Sequence, residues 1–233
     1  MISSAILIPA RYDSTRFPGK PLTLLDGVPM IKRVFEACVS TGYDTYVITD
    51  DRRIAHLIPD RHYWIDQQDT YSNGTERCAG ALEHFPQLKN YNQFINVQGD
   101  MPDVTNDMIE KCIFGLKHYS LATVCTPIKD ERLDDPNTVK LVRAGDKVLW
   151  MGRGMSGYGD QHLGVYGYKR EALQMYDNLI NTREERVENL EQLRWLKAGW
   201  SMSVFPVEFN GIEINTPEDA EKWNAKKSME NLG

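Results

Sequence analysis

The sequence predicts an α/β fold, a mixed and mostly parallel sheet lying between helices, with a small β-rich insertion at about residues 130–170. Two observations carry this. Over the first 130 residues, apolar runs of strand length alternate with segments of helical periodicity, the pattern of a parallel sheet whose crossovers are helices. The rhythm then changes to closely spaced strand-like runs, TVKLV, KVLWM and HLGVYGYK, whose short connections suit hairpins. A chain of 233 residues, 41% hydrophobic and 26% charged, can bury one core of ordinary size. A single domain over 1–233 is therefore expected.

Each element has a local reason. Residues 5–9, AILIP, read as a buried strand. Pro29 opens a helix with Ile31, Val34, Phe35 and Cys38 on one face and Gly42 as its stop. TYVITD is a strand, GTERCAGALEHF a helix beginning near Gly74, and FINVQGD a strand ending in polar residues. Thr105 caps a helix whose apolar face is Ile109, Cys112, Ile113 and Leu116, and SLATVCTPI returns as a strand. TVKLV and KVLWM pair as a hairpin about Ala144, Gly145 and Asp146, and HLGVYGYK follows as another strand. TREERVENLEQLRWLKAG reads as one helix, opened by a capping box of Thr182 with Glu185 and closed at Gly199. After the strand SVFPVEF, a last helix takes Thr216 as N-cap, Pro217 at its first position and Asp219 at its third.

A net charge of −6 argues against general nucleic-acid binding, which shows as a basic face. No run approaches the ~18 apolar residues of a membrane helix, and the first apolar run has no cationic segment ahead of it, so no signal peptide is expected. Cys38, Cys78, Cys112 and Cys125 are widely spaced, with no C-x-x-C pair. Buried thiols are expected rather than zinc ligands or disulfides, as in a reducing cytoplasm.

Against that acidic background, IPARYDSTRFPGKPL places Arg11, Arg16 and Lys20 within ten residues, directly after the first strand. Ligands of such sheets bind outside the carboxyl ends of the strands. Gly19 and two prolines bend the loop, so backbone N–H groups and three cations can face an anion. The spacing is not that of a P-loop, and a solvated charged loop is the alternative reading. Asp100, in NVQGDMP, follows a buried strand and a glycine. Its carboxylate is a candidate Mg²⁺ ligand beside bound phosphates, with a helix or turn cap as the alternative.

The segments PARYDSTRFPGKPL, NGTER (73–77), NVQGD (96–100), HLGVYGY (162–168), LEQLR (190–194) and INTPEDAE (214–221) occur in that order. Together they resemble the CMP-Kdo synthetase family, the 3-deoxy-manno-octulosonate cytidylyltransferases, from about Ile6 to Trp223. The resemblance implies a Rossmann-like nucleotidyltransferase fold and a Mg²⁺-dependent cytoplasmic enzyme, usually a homodimer. The implied reaction is attack of the anomeric hydroxyl of a 2-keto sugar acid on the α-phosphorus of CTP, giving a CMP-sugar and pyrophosphate. It further implies that Arg11, Lys20 and Asp100 form the catalytic group, with Arg16 assisting at the triphosphate. Pro9, Ala10, Asn73, Gly74 and Thr75 fall on the nucleotide side. Arg77, Gln98, Arg153, His162, Tyr166, Glu191 and Gln192 fall on the sugar side, and Asp100 and Asn215 on the metal.

That chemistry suits the residue types, since in-line displacement at phosphorus depends on positioning and charge neutralisation more than on a strong base. Arg77 or Arg153 could hold the acid's carboxylate bidentately, and His162 is expected as a donor to a sugar hydroxyl. Of Tyr166 and Tyr168, at most one is expected to reach the pocket. Glu191 and Gln192 are expected in mid-helix.

Four departures from the family pattern stand out. Asn215 replaces an aspartate of the G-V-D-T-P-E-D segment, and Glu213, two residues earlier on the same strand face, is placed to compensate. Met101 stands where a glutamate is usual, and Asn73 replaces the serine of S-G-T-E-R. Between Arg153 and His162 only GMSGYGDQ intervenes, where the family has a longer loop beginning S-R-x-x-I-P. Glycines at 152, 154, 157 and 159 predict a short, mobile connection and a more open sugar side. The acceptor is therefore Kdo or a different acidic or amino sugar, and a nucleotide-binding homologue with lost turnover is the alternative of another class.

Overall fold

The computed structural model describes residues 3–13, 17–66 and 71–230. Strand β1 (Ser4–Ala10) is buried from Ala5 onward, as its unbroken apolar run requires. Two short strands, β2 (Leu24–Leu25) and β3 (Val28–Pro29), pair before helix α1 (Met30–Val39). Next come β4 (Asp44–Thr49), α2 (Arg52–Ala55), β5 (Tyr63–Ile65), α3 (Gly74–His84), β6 (Gln93–Val97), α4 (Asn106–Gly115) and β7 (Leu121–Thr126). The second half contains β8 (Lys140–Ala144), β9 (Lys147–Gly152), β10 (Asp160–Lys169), α5 (Arg170–Gln174), α6 (Arg183–Glu188), α7 (Leu193–Lys197), β11 (Met202–Pro206) and α8 (Pro217–Glu230).

Among the described residues, nine strands form one sheet in the order β5-β4-β1-β6-β10-β7-β11-β9-β8. Strands β5, β4, β1 and β6 run parallel, as do β7 and β11, while β10 runs against both β6 and β7. One core layer packs α1, α4 and α8 on one face of the sheet, through residues such as Ile31, Val34, Ile109 and Trp223. The other packs α3, α5 and α7 on the opposite face, through Cys78, Leu173 and Trp195. All four cysteines are buried and unpaired. No helix among the described residues is long and apolar enough to cross a membrane.

The N-caps read from sequence are made. Thr105 Oγ1 accepts Met108 N at 3.4 Å, Thr182 Oγ1 accepts Glu185 N at 3.2 Å and Thr216 Oγ1 accepts Asp219 N at 3.3 Å. Two expectations need correction. The stretch 130–170 is not all insertion: β8 and β9 form the expected hairpin, but β10 lies inside the sheet, bonded on both edges. A strand buried on both faces looks the same in sequence whether it closes a hairpin or fills a gap between distant strands. Residues 183–197 are also not one helix. Asn189 adopts a left-handed backbone (φ 49°) that ends α6, a conformation Asn tolerates better than most residues. A buried bidentate pair, Arg194 Nη2 to Glu185 Oε1 at 2.6 Å and Nε to Oε2 at 2.9 Å, holds α7 to α6 across the break.

Where α4 meets the sheet, a Cβ on Gly115 would lie 2.2 Å from Ser203 Oγ, 3.0 Å from Ala122 Cβ and 3.1 Å from Phe205 Cε2. Overpacking of this kind costs about 1–3 kcal/mol, against less than ~1 kcal/mol of helix propensity recovered. Gly115→Ala should therefore lower the denaturant midpoint without changing the slope of the unfolding transition.

Candidate active site

The parallel strands deliver their carboxyl ends to one mouth, and the cationic loop leaves from β1 there. Gly19 takes a left-handed turn (φ +70°), which a side chain would strain, and its N–H donates to Tyr12 O at 3.1 Å. This closes the loop on itself and starts the short turn Lys20–Leu22. Lys20 Nζ then reaches Asp100 Oδ2 at 2.6 Å and Ile214 O at 3.1 Å, with both side chains about one-fifth exposed. Arg11 is exposed at the same mouth and makes no ion pair among the described residues. Arg16 lies outside the described residues.

Pro9, Ala10, Arg11, Lys20, Asn73 and Gly74 line a single cavity. Gly74 is needed for close approach, since a Cβ there would sit 3.1 Å from Pro9 Cγ. Asn73 caps α3, its Oδ1 accepting Glu76 N at 2.8 Å while its Nδ2 donates to Tyr176 OH at 2.9 Å. Arg77, Gln98, Arg153, His162, Tyr166, Glu191, Asp100, Glu213 and Asn215 line the same cavity.

Two expected wall residues stand behind the wall instead. Thr75 and Gln192 are fully buried, and Gln192 Nε2 donates to Thr75 Oγ1 at 3.3 Å and to Tyr168 OH at 3.0 Å. They brace the wall rather than face a ligand. The helix break explains Gln192: the turn after Asn189 leaves Glu191 at the cavity and directs Gln192 inward. Tyr166 and Tyr168 share one side of the sheet, with ring centroids 6.2 Å apart, and Tyr166 is the one at the cavity.

The arginines differ in what already balances them. Arg77 is 3% exposed, with Nη2 on Asp50 Oδ2 at 2.8 Å and Nη1 3.6 Å from Asp66 Oδ2. Arg153 makes no ion pair among the described residues; its Nη1 donates to Asn137 O at 2.5 Å. Its charge is nevertheless felt at His162, Tyr166 and Glu191. Burial raises the Glu191 carboxyl above its ordinary range, Glu185 adds to this, and Arg153 and Arg11 oppose it.

His162 is nearly buried, stacked on Tyr166 with ring centroids 4.8 Å apart. Burial, with Arg153 adding, pushes its pKa down to about 3, so the ring is neutral. Its tautomer follows from bond counting. Thr123 Oγ1 donates its single proton to Val165 O at 2.9 Å, so it accepts from His162 Nε2, also at 2.9 Å. The proton sits on Nε2 and Nδ1 is the remaining acceptor. The expectation of a donor is thereby reversed: the ring offers a hydroxyl an acceptor.

In the same cavity, Glu213 Oε1 accepts Gly164 N at 3.2 Å and Oε2 accepts Gln161 Nε2 at 3.4 Å. Burial and then the negative charge of Asp100 push its pKa up to about 7. Asn215 is held by Asp219, whose Oδ2 accepts both Asn215 N and Thr216 N at 3.0 Å. The donor set is all oxygen, which suits Mg²⁺. No group of three or more His, Cys, Asp or Glu residues that could hold a metal occurs among the described residues.

A family profile described as Cytidylyltransferase matches residues 5–204. The chain belongs to the cytidylyltransferase family. It is 35% identical to the 8-amino-3,8-dideoxy-manno-octulosonate cytidylyltransferase of Shewanella pealeana, over 97% of this chain and 98% of that one. It is 33% identical to the 3-deoxy-manno-octulosonate cytidylyltransferase of Parabacteroides distasonis, over 93% and 94%. The solved structure of CMP:2-keto-3-deoxy-manno-octonic acid synthetase complexed with CTP superposes with a TM-score of 0.87 at 31% identity, covering 98% of this chain and 99% of that one.

In this member of the cytidylyltransferase family, sequence reasoning missed the groups that hold the site residues. Asp50 was findable, because it follows a buried strand just as Asp100 does. Asp66, Thr123 and Glu188 carried no local signal. The tautomer is open to test by ring ¹⁵N–¹H correlation spectra, which should show His162 as the neutral Nε2–H form at pH 5.5. A doubly protonated ring at that pH contradicts the bond counting.

Proposed function

We propose that this chain is a Mg²⁺-dependent transferase that couples CTP to a 2-keto sugar acid of the Kdo type, releasing pyrophosphate. The observation that carries this is that one cavity is lined by two cations without an ion-pair partner among the described residues, Arg11 from the loop after β1 and Arg153 from the turn after β9. On this reading Arg11, in the cationic loop, meets the triphosphate, and Arg153 meets the carboxylate of the acid. Arg77 is less suited to that carboxylate, because Asp50 and Asp66 already surround its guanidinium. The acid's hydroxyls would meet acceptors in neutral His162 and in Glu191.

In the reaction, the anomeric oxygen of the sugar bonds to the α-phosphorus as the bond to the pyrophosphate oxygen breaks, and the hydroxyl proton is released to solvent. Lys20 and Asp100 start as an ion pair, and an arriving triphosphate competes for the ammonium and releases the carboxylate. Asp100, Glu213 and the amide oxygen of Asn215 would then hold Mg²⁺, with phosphate and water oxygens completing its shell. When bound, the metal supplies neutralisation of charge developing on the phosphate oxygens. Glu213, ionised when a metal is bound, would make good the charge that Asn215 lacks.

The test is pyrophosphate release from CTP and Mg²⁺ with Kdo and with 8-amino-3,8-dideoxy-manno-octulosonate offered separately. Turnover is expected with at least one of them. CTP binding by calorimetry without release from either acid, at millimolar concentration, points instead to a nucleotide-binding protein. Lys20→Met should lower kcat by ~10²–10³-fold, the usual cost of removing a group that stabilises developing charge. A homodimer is also inferred from the hairpin edge of the sheet, where Leu149 on β9 is 57% exposed. Sedimentation equilibrium at micromolar concentration, with Leu149→Glu shifting the protein toward monomer, checks it.

A further inference from the structure

The glycine-rich turn that carries Arg153 is held from both sides by ionisable side chains. Glu188 Oε2 accepts Arg153 N at 2.5 Å and Gly154 N at 2.8 Å. On the other side, the fully buried Lys140 donates from Nζ to Arg153 O at 2.8 Å and to Asp135 O at 2.9 Å. A carboxylate on the two N–H groups and an ammonium on the C=O are each charge-assisted bonds, roughly twice as strong as neutral ones. Together they fix the peptide planes on either side of the Arg153 Cα, and so the direction in which its side chain leaves the chain.

The glycines flanking Arg153 confirm that this contact is built in. Neither Gly152 nor Gly154 has a left-handed backbone, so conformation does not demand glycine there. Proximity does. A Cβ on Gly152 would lie 3.0 Å from Glu188 Cδ, and one on Gly154 would lie 3.0 Å from Glu188 Oε1. Glu188 itself is delivered by the last residue of α6, immediately before the left-handed Asn189 that turns the chain back to place Glu191 at the cavity. The 152–154 turn and the 188–191 turn are thus tied into one wall.

We propose that Glu188 is a positioning residue for Arg153: its carboxylate clamps the Gly152–Arg153–Gly154 turn so that the guanidinium meets the carboxylate of the acidic acceptor. This rests on the reading of Arg153 as the carboxylate ligand given above. Lys140 is the opposite jaw of the clamp. The clamp acts on acceptor binding and leaves the nucleotide side untouched.

The experiment is a double-mutant cycle read by steady-state kinetics with Kdo as the acceptor probe, together with hydrogen exchange on the peptide covering 151–156. Glu188→Ala should raise KM for Kdo at least tenfold, with KM for CTP changed less than twofold and exchange at 151–156 accelerated. Glu188→Gln keeps an acceptor oxygen at the same place and should restore most of both. In an Arg153→Ala background, Glu188→Ala should add less than twofold. Additive effects, equal changes in both KM values, or unchanged exchange in Glu188→Ala overturn the proposal. If Arg153→Ala alone leaves KM for Kdo unchanged, the reading of Arg153 is what fails. If Arg153→Ala raises it and Glu188→Ala does not, the clamp alone fails. Exchange in Glu188→Gln and Glu188→Ala decides the clamp even where turnover with Kdo is too slow to measure.

Discussion

Strand β10 runs against both of its inner neighbours, and the geometry of the cavity depends on that reversal. Had it been parallel to β6 and β7, His162 and Gly164 would have been carried to the opposite end of the sheet. Running backward, it brings its first residues to the mouth where the parallel strands end. Its register slips between Leu163 and Tyr166, and Val165 O is thereby left to accept Thr123 Oγ1, which fixes the His162 tautomer. At the slip, Gly164 has little room for a side chain: a Cβ would stand 3.1 Å from Gln98 Cγ. Its two backbone groups are spent on the site, O on Gln98 N at 2.9 Å and N on Glu213 Oε1 at 3.2 Å. One residue therefore sets both the turn into Asp100 and the carboxylate facing it.

The electrostatics of an acidic protein with an anion site follow from where its cations are compensated. Lys20 is balanced by Asp100, and Arg77 by Asp50 and Asp66. Such pairs cost desolvation and add little net stability, but they hold side chains in place and keep positive charge from concentrating in the cavity. Arg11 and Arg153 are left over. On the proposed reading, these two cations offer an acidic nucleotide and an acidic acceptor one point of attachment each. The negative surface elsewhere does not compete, because charges beyond roughly 8–10 Å are screened at physiological salt.

Much of this was readable from residues alone, and the limits fall along a physical line. Caps, helix faces and the cationic loop depend on neighbours a few positions apart, and Thr105, Thr182, Thr216 and Gly19 were all visible. So was Asp100, at the end of a buried run. The place of β10 was not, because strand pairing across more than sixty residues (Tyr166 against Asn96) leaves no local trace. The break at Asn189 was hidden inside a sequence with good helical periodicity, and what stabilises it, the Glu185–Arg194 pair, is itself spaced nine residues apart. His162 was expected as a donor because an isolated imidazole gives no hint of its tautomer; Thr123, thirty-nine residues away, decides it.

The same line separates what the glycines of the 152–159 turn predicted from what they do. Read locally, four glycines in a shortened loop mean conformational freedom. In the folded chain they divide into two kinds. Gly157 and Gly159 have positive φ and serve the turn itself, while Gly152 and Gly154 do not and serve the approach of Glu188. The first pair lets a short connection reach β10; the second gives up side chains so that a carboxylate can grip the backbone. A shorter wall loses the covering surface a long loop would provide over an acceptor, and a gripped wall recovers direction for the one guanidinium it carries. On the proposed reading, acceptor selection by this wall rests on the placement of a single charge rather than on enclosure.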